Sequence, residues 1–139
     1  MTDQIEFNRK LIEEFRATRG VPDGPYAKRP IVLLTTTGAK SGQPRTAPVM
    51  YVRDGERLLV IASNAGAPDH PHWYRNLAAN PALTVEVGTE TYPAHAQTVS
   101  GADRARLWEL ITAQYPFFND HQAKISREIP VVELIRDRD

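Results

Sequence analysis

The stretch Thr35-Thr36-Thr37-Gly38-Ala39-Lys40-Ser41-Gly42-Gln43-Pro44-Arg45 sets two cations and several hydroxyls in a glycine-containing turn. Such a turn exposes amide N–H groups, and beside an ammonium and a planar guanidinium these can cradle a phosphate or carboxylate. It is not a nucleoside-triphosphate loop. Ala39 stands where that motif needs Gly before the lysine, and Pro44 leads into a strand rather than a helix. Charge patterning favours an anion here. No Asp or Glu lies between Asp23 and Asp54, yet Lys28, Arg29, Lys40, Arg45 and Arg53 do, so the local field is positive. The plain alternative is a hairpin turn with solvated charges.

A second segment, Ala62 to Leu77, puts small residues (Ala62, Ala65, Gly66) where backbone can come close to a flat ligand. Ser63 and Asn64 offer hydrogen bonds, and Trp73 and Asn76, three apart, share a helix face. The competing reading is a surface loop with Trp73 packed in the core. His70 and His72 flank Pro71 with Asp69 as the only nearby carboxylate, too few ligands for a metal, and none is expected. His95 and His121 stand alone and read as structural. A third segment, Gln114 to Gln122, gathers Tyr115, Phe117 and Phe118 in a connection between helices. It serves either as a core plug or as a lid over a planar ligand. No spacing supports a Ser-His-Asp triad.

The elements that must position these groups are short. Gln4–Arg19 reads as an amphipathic helix, with Asp3 and Glu6 as a capping pair and Phe7, Leu11 and Phe15 four apart; Gly20 and Pro22 end it. Its polar face mixes signs. Docking on a partner or membrane surface is the alternative to covering the core. Strands are predicted at 31–36, 45–52, 57–63, 83–87, 91–99 and 129–135, with Asp54-Gly55 and Gly88 turning two hairpins. Pro48 inside the second strand calls for a free edge or a bulge. Helices are predicted at 72–79, from Ser100 with Asp103 to before Pro116, and at 117–126. About six strands with hairpin spacing and few crossovers imply an antiparallel barrel with peripheral helices. Neither a dinucleotide fingerprint nor a nucleophile elbow occurs.

Composition narrows the function further. The 139 residues suit one domain, and 17 bases against 17 acids argue against a nucleic-acid binder. The absence of Cys removes disulfides, thiolate zinc sites and a thiol nucleophile. No apolar run nears the ~20 residues of a membrane span, and no signal peptide is evident; a cytoplasmic location is expected.

Leu-Leu-Thr-Thr-Thr-Gly-Ala-Lys-Ser-Gly-Gln-Pro-Arg (33–45), Ala-Ser-Asn-Ala-Gly-Ala-Pro (62–68) and Trp-Tyr-x-Asn-Leu-x-Ala-Asn-Pro (73–81), in this order and spacing, resemble the deazaflavin (F420)-dependent nitroreductase family. The likeness runs from the leading helix to Ile129-Pro130-Val131-Val132. It implies a single split β-barrel domain over 1–139, related to the flavin-binding barrels of pyridoxamine-phosphate oxidases, with reduced coenzyme F420 as hydride donor. By that resemblance Lys40, Ser41, Gln43 and Arg45 hold the phosphate of a cofactor tail that also carries glutamates. The ring lies near Pro48, Met50, Ile61, Ser63 and Asn64, walled by His72, Trp73 and Asn76. Tyr115 and Phe118 close over ring and substrate. Phe118 and His121 stand where the prodrug-activating member carries tyrosines, and Asn64 where it carries lysine.

The chemistry itself belongs to the cofactor. The chain must stack an acceptor (a quinone, an activated alkene or a nitro compound) at ~3–3.5 Å and donate to its developing oxyanion. Ser63 and Tyr115 are the candidate catalytic donors. A non-catalytic F420 carrier and an FMN-dependent reductase are the alternatives.

Overall fold

The computed structural model describes residues 2–17 and 30–137, without the side chains of 2–8, 14 and 65. Helix α1 (Thr2–Ala17) precedes strands β1 (Ile31–Thr37), β2 (Pro44–Asp54) and β3 (Arg57–Ile61). A 3-10 turn (Asn64–Gly66) and helix α2 (His72–Ala79) follow, then β4 (Ala82–Val87), β5 (Glu90–Thr98), α3 (Gly101–Gln114), α4 (Phe117–Ala123) and β6 (Val131–Arg136). The strands close an antiparallel barrel in the order β1-β2-β3-β6-β5-β4, the fold class expected from hairpin spacing.

Strand alternation sorts the apolar residues onto two surfaces. Val32, Leu34, Leu58, Val60, Val85 and Val132 point inward and form the barrel core with Leu77 of α2. Their neighbours point outward and need covering. Ile31 and Leu33 are covered by Phe15 and Ile12 of α1, while Leu59, Ile61 and Val131 lie under Leu107, Ile111 and Phe118 of α3 and α4. Two helical layers therefore flank one stretch of the outer barrel face.

That stretch is where the barrel splits. β2 pairs with β1 through residues 44–50, then switches to β3 through 51–54. Its first half is bonded on one edge only, which accommodates Pro48, a residue without an N–H to donate. Continuing the β2–β3 register past its last pair, Tyr51 with Val60, sets Met50 opposite Ile61 and Pro48 opposite Ser63 across the gap.

Some boundaries differ from the sequence reading. α1 begins at Thr2, so the backbone of Asp3 is already helical; the side chains of the Asp3–Glu6 capping pair, the predicted end of this helix with Gly20 and Pro22, and the cations Lys28 and Arg29 lie outside what the structure describes. Ser100 occupies the N-cap position of α3 but makes no side-chain cap bond. Asp103 is drawn instead to Arg57 at 2.8 Å, which also binds Glu133 at 2.9 Å. β3 ends at Ile61, two residues early, because the chain turns at Ser63 to enter the 3-10 turn. α4 stops at Ala123 rather than at residue 126. Gln122 ends it by accepting from Ile129 N at 2.9 Å and donating to the Arg127 carbonyl at 2.7 Å, and β6 accordingly starts only at Val131.

Candidate cofactor site

The basic loop is a closed ring of main-chain bonds. Gly38 N donates to the Gln43 carbonyl at 2.8 Å, and Gly42 N to the Gly38 carbonyl at 2.9 Å. Ser41 Oγ accepts from Gln43 N at 3.2 Å. Gly38 is tightly enclosed: a Cβ there would fall 2.6 Å from Ser41 Oγ, displacing that hydroxyl from Gln43 N, and 3.2 Å from the Gln43 carbonyl oxygen. Asn76 of α2 ties this loop to the barrel. Its Oδ1 accepts from Ala39 N at 2.9 Å and its Nδ2 donates to Thr36 Oγ1 at 3.0 Å. Asn76 and Thr36 are both buried, so each needs the other as partner.

Between this loop, α1 and α2 lies a cavity of about 960 Å³, lined by Lys40, Ser41, Arg45, His72, Trp73 and Asn76 with Arg9, Ile12, Glu13, Arg16 and Arg75. Five cations against one carboxylate give it a positive field. Arg16 is engaged with Glu86 at 2.8 Å, and Arg9 with Glu13 at 2.8 Å. Lys40 and Arg45 are exposed and make no ion pair among the described residues, which leaves their charge for a ligand. Trp73, half-buried against the barrel core, adds an aromatic face.

The second part of the site sits at the split. Ser63 is buried, and its Oγ lies 3.3 Å from His121 Nδ1 of α4. Burial pushes the His121 imidazole below its usual range, and the Lys124 ammonium adds to the effect while Asp120 opposes it. The Tyr115 ring meets Phe118 edge-on at 6.5 Å and Phe117 at 5.9 Å. Phe118 is buried beneath them, as a core residue of the α3/α4 layer.

Arg127 holds this segment in place. Its guanidinium donates to the carbonyls of Ser63 (2.9 Å), Ala67 (3.0 Å), Ala62 (3.2 Å), Pro68 (3.2 Å) and Asp69 (3.2 Å). It also meets His70 Nδ1 at 3.1 Å. Burial first, then the charges of Arg127 and Arg75, hold the His70 imidazole down; the neutral ring accepts from Arg127. One fork thus satisfies carbonyls that an irregular loop would otherwise leave unpaired. Asn64 adopts the left-handed conformation (φ 50°) that the turn requires, and its Nδ2 donates to the Asp69 carbonyl at 3.0 Å.

The residues named from sequence therefore fall into two groups. Lys40, Ser41, Arg45, His72, Trp73 and Asn76 meet in the cavity. Ser63, Ile61, Tyr115 and Phe118 gather at the split, facing Pro48 and Met50 by register. Gln43 is exposed at the loop edge, and Asn64 is exposed with its amide turned to Asp69. Asn76 uses one end of its amide on the loop and the other on Thr36 of β1. Two residues escaped the sequence reading. Arg127 carried no spacing signal, and His121, read as isolated, is brought to Ser63 by a contact 58 residues apart in sequence.

Fold and cavity together define a six-stranded antiparallel barrel with a cation-lined cleft beside one aromatic face. The chain belongs to the F420H(2)-dependent quinone reductase family, whose model matches residues 7–135. The quinone-reductase description is the one that matches; the nitroreductase name suggested by the motifs is not part of it. F420H(2)-dependent quinone reductase Rv1261c of Mycobacterium tuberculosis is 40% identical over 130 residues, covering 88% of this chain and 85% of the relative. Among solved structures, one described as an F420-H2 dependent reductase (FDR-A) is 42% identical with a TM-score of 0.68, covering 76% of this chain and 94% of that one. Another, described as a domain-swapped dimer, is 39% identical with a TM-score of 0.71, covering 96% and 98%. Coenzyme F420 is the cofactor of this family. The residues fit it: the free cations Lys40 and Arg45 suit a polyanionic tail, and Trp73 suits a flat ring.

Proposed function

We propose that this chain, as a single deazaflavin-binding domain over residues 1–139, transfers a hydride from reduced F420 to a quinone. The observation that carries the reading is the cavity over which Lys40 and Arg45 stand uncommitted. In this reading Lys40, Ser41, Gln43 and Arg45 hold the cofactor's anionic tail. The ring runs from His72, Trp73 and Asn76 toward the split at Pro48, Met50, Ile61, Ser63 and Asn64. Ser63 and Tyr115 donate to the acceptor, and Phe118 supports Tyr115 from below. Activated alkenes and nitro compounds suit the same hydride chemistry as further acceptors. The proposed setting is the cytoplasm, with the quinone reached directly or through contact of α1 with a membrane surface. Among the described residues no helix is long and apolar enough to cross a membrane.

A second reading, an F420 carrier without turnover, is favoured by one fact: the cavity does not include Ser63 or Tyr115. The purified protein is mixed separately with F420 and FMN, and binding is followed by fluorescence quenching. Reduced F420 is then mixed with menadione and its reoxidation recorded. Micromolar F420 binding with turnover is expected. Binding without turnover favours the carrier, and FMN binding in place of F420 overturns both.

A further inference from the structure

Ser63 is placed to donate to an acceptor oxygen, but a serine hydroxyl is a weak acid and needs a proton behind it. Among the described residues the one side-chain partner of Ser63 Oγ is His121 Nδ1, at 3.3 Å. The contact is built by packing. α4 lies against the 3-10 turn so closely that a Cβ on Gly66 would meet His121 Cα at 3.3 Å and the His121 carbonyl oxygen at 3.4 Å. Phe117 and Phe118 hold the imidazole from the other side, with ring centroids 5.4 and 5.8 Å away. On the strand side Arg127 fixes the Ser63 carbonyl at 2.9 Å, so both ends of the Ser63–His121 pair are anchored by separate elements.

We propose that His121 is the proton-relay and positioning residue behind Ser63, delivering through the serine hydroxyl the proton that quinone reduction consumes. The proposal rests on the quinone-reductase reading above. Bound reduced F420 supplies the hydride. The quinone oxygen left negative by that electron pair takes the Ser63 Oγ proton, and the imidazolium returns one to Oγ from Nδ1. His121 ends neutral and regains its proton from water, so the relay moves protons only and no electrons. When the ring is protonated, Nδ1 can only donate to Oγ, which leaves the Ser63 hydroxyl proton free to point toward the split, the orientation a donor requires.

The groups that set its charge are few. Lys124 and Asp120 act from its own helix. Arg127, which follows α4 and is bonded to Ser63 and His70, and Tyr115, which packs on Phe118, are the nearest other ionisable groups around the pair, and neither contributes to the lowered value. Burial and Lys124 favour the neutral ring, so the proton-loaded form is the minor one at neutral pH. Proton delivery should then weaken as pH rises.

The test uses the whole chain. The His121 imidazole is titrated by NMR without cofactor, in wild type and Ser63→Ala, and its resonance is assigned by its loss in His121→Gln. F420 binding is measured by fluorescence, and menadione reduction across pH in wild type, His121→Gln and His121→Asn. A shifted His121 titration in Ser63→Ala shows the pair without any turnover. In wild type, kcat should fall with pH through the pKa that NMR reports. In His121→Gln, which keeps an N–H donor but no titration, that limb should vanish and kcat should drop about 100-fold, with F420 affinity and KM for menadione within about twofold. A pH limb that persists in both variants, or F420 affinity that falls in step with kcat, overturns the relay. Failure of wild type to bind F420 or reduce menadione refutes the parent reading instead, and the NMR result then decides the pair alone.

Discussion

Asn76→Leu should separate the barrel's stability from the set of the basic loop. Leucine copies the branched outline of asparagine, is bulkier, and makes neither hydrogen bond. The bond to Thr36 Oγ1 is buried, with Asn76 8% and Thr36 2% exposed; losing it and stranding the hydroxyl costs about 1–3 kcal/mol. The bond from Ala39 N lies in an exposed loop, where water replaces asparagine, and it adds about 0.5–1 kcal/mol. The sum is about 1.5–4 kcal/mol. An unfolding entropy of about 2.1 cal/mol/K per residue over 139 residues then gives a Tm drop of about 5–14 °C. Adding Thr36→Val removes the stranded hydroxyl and should recover about 1 kcal/mol or more, because replacing both partners by apolar groups is nearly neutral. Loop support is not recovered, so F420 affinity should stay about tenfold weaker in both variants. Urea denaturation and fluorescence titration read the two effects independently. A loss under about 0.5 kcal/mol, or F420 affinity that returns together with stability, would refute the assignment of Asn76 as the tie between barrel and loop.

Three further outcomes follow from the same geometry. Gly66 has φ +81° and main-chain atoms of His121 in α4 3.3–3.4 Å from its missing Cβ, whereas Gly88 has φ +58° and open space; Gly88→Ala should cost about 1 kcal/mol and Gly66→Ala about 2–3, compared by urea unfolding. Lys40→Gln and Arg45→Gln should each weaken F420 binding about tenfold and flatten its dependence on salt, with Tm nearly unchanged because neither side chain makes an ion pair among the described residues. His70 and His121 both have pKa values held below 6.5 in the fold. The unfolded chain therefore takes up more protons below that pH, so stability is full above about pH 7 and falls as pH drops toward the lowered values. His70→Asn should reduce that slope in urea titrations between pH 5 and 7.

The linear sequence determined the parts of this protein that depend on local rules. Alternating apolar residues and the turns at Asp54-Gly55 and Gly88 specify six strands and their hairpins, since side chains of a strand face opposite ways and a two-residue reversal needs such residues. Pro48 announced a free edge because it lacks an N–H. The acid-free run around Lys40 and Arg45 announced a locally positive field, because charge acts over several ångströms whatever the fold. What depended on closure of the barrel was not legible. The switch of β2 from β1 to β3 opens the gap between Pro48 and Ser63, and which edge is left unpaired is decided only when all six strands compete for partners. Arg127 gathers five carbonyls from residues 62–69, and His121 reaches Ser63, through contacts between segments that no sequence spacing relates. The tertiary structure turned one histidine without a motif into the partner of the candidate proton donor, because hydrogen bonds require atoms within about 3 Å and only packing brings distant residues that close.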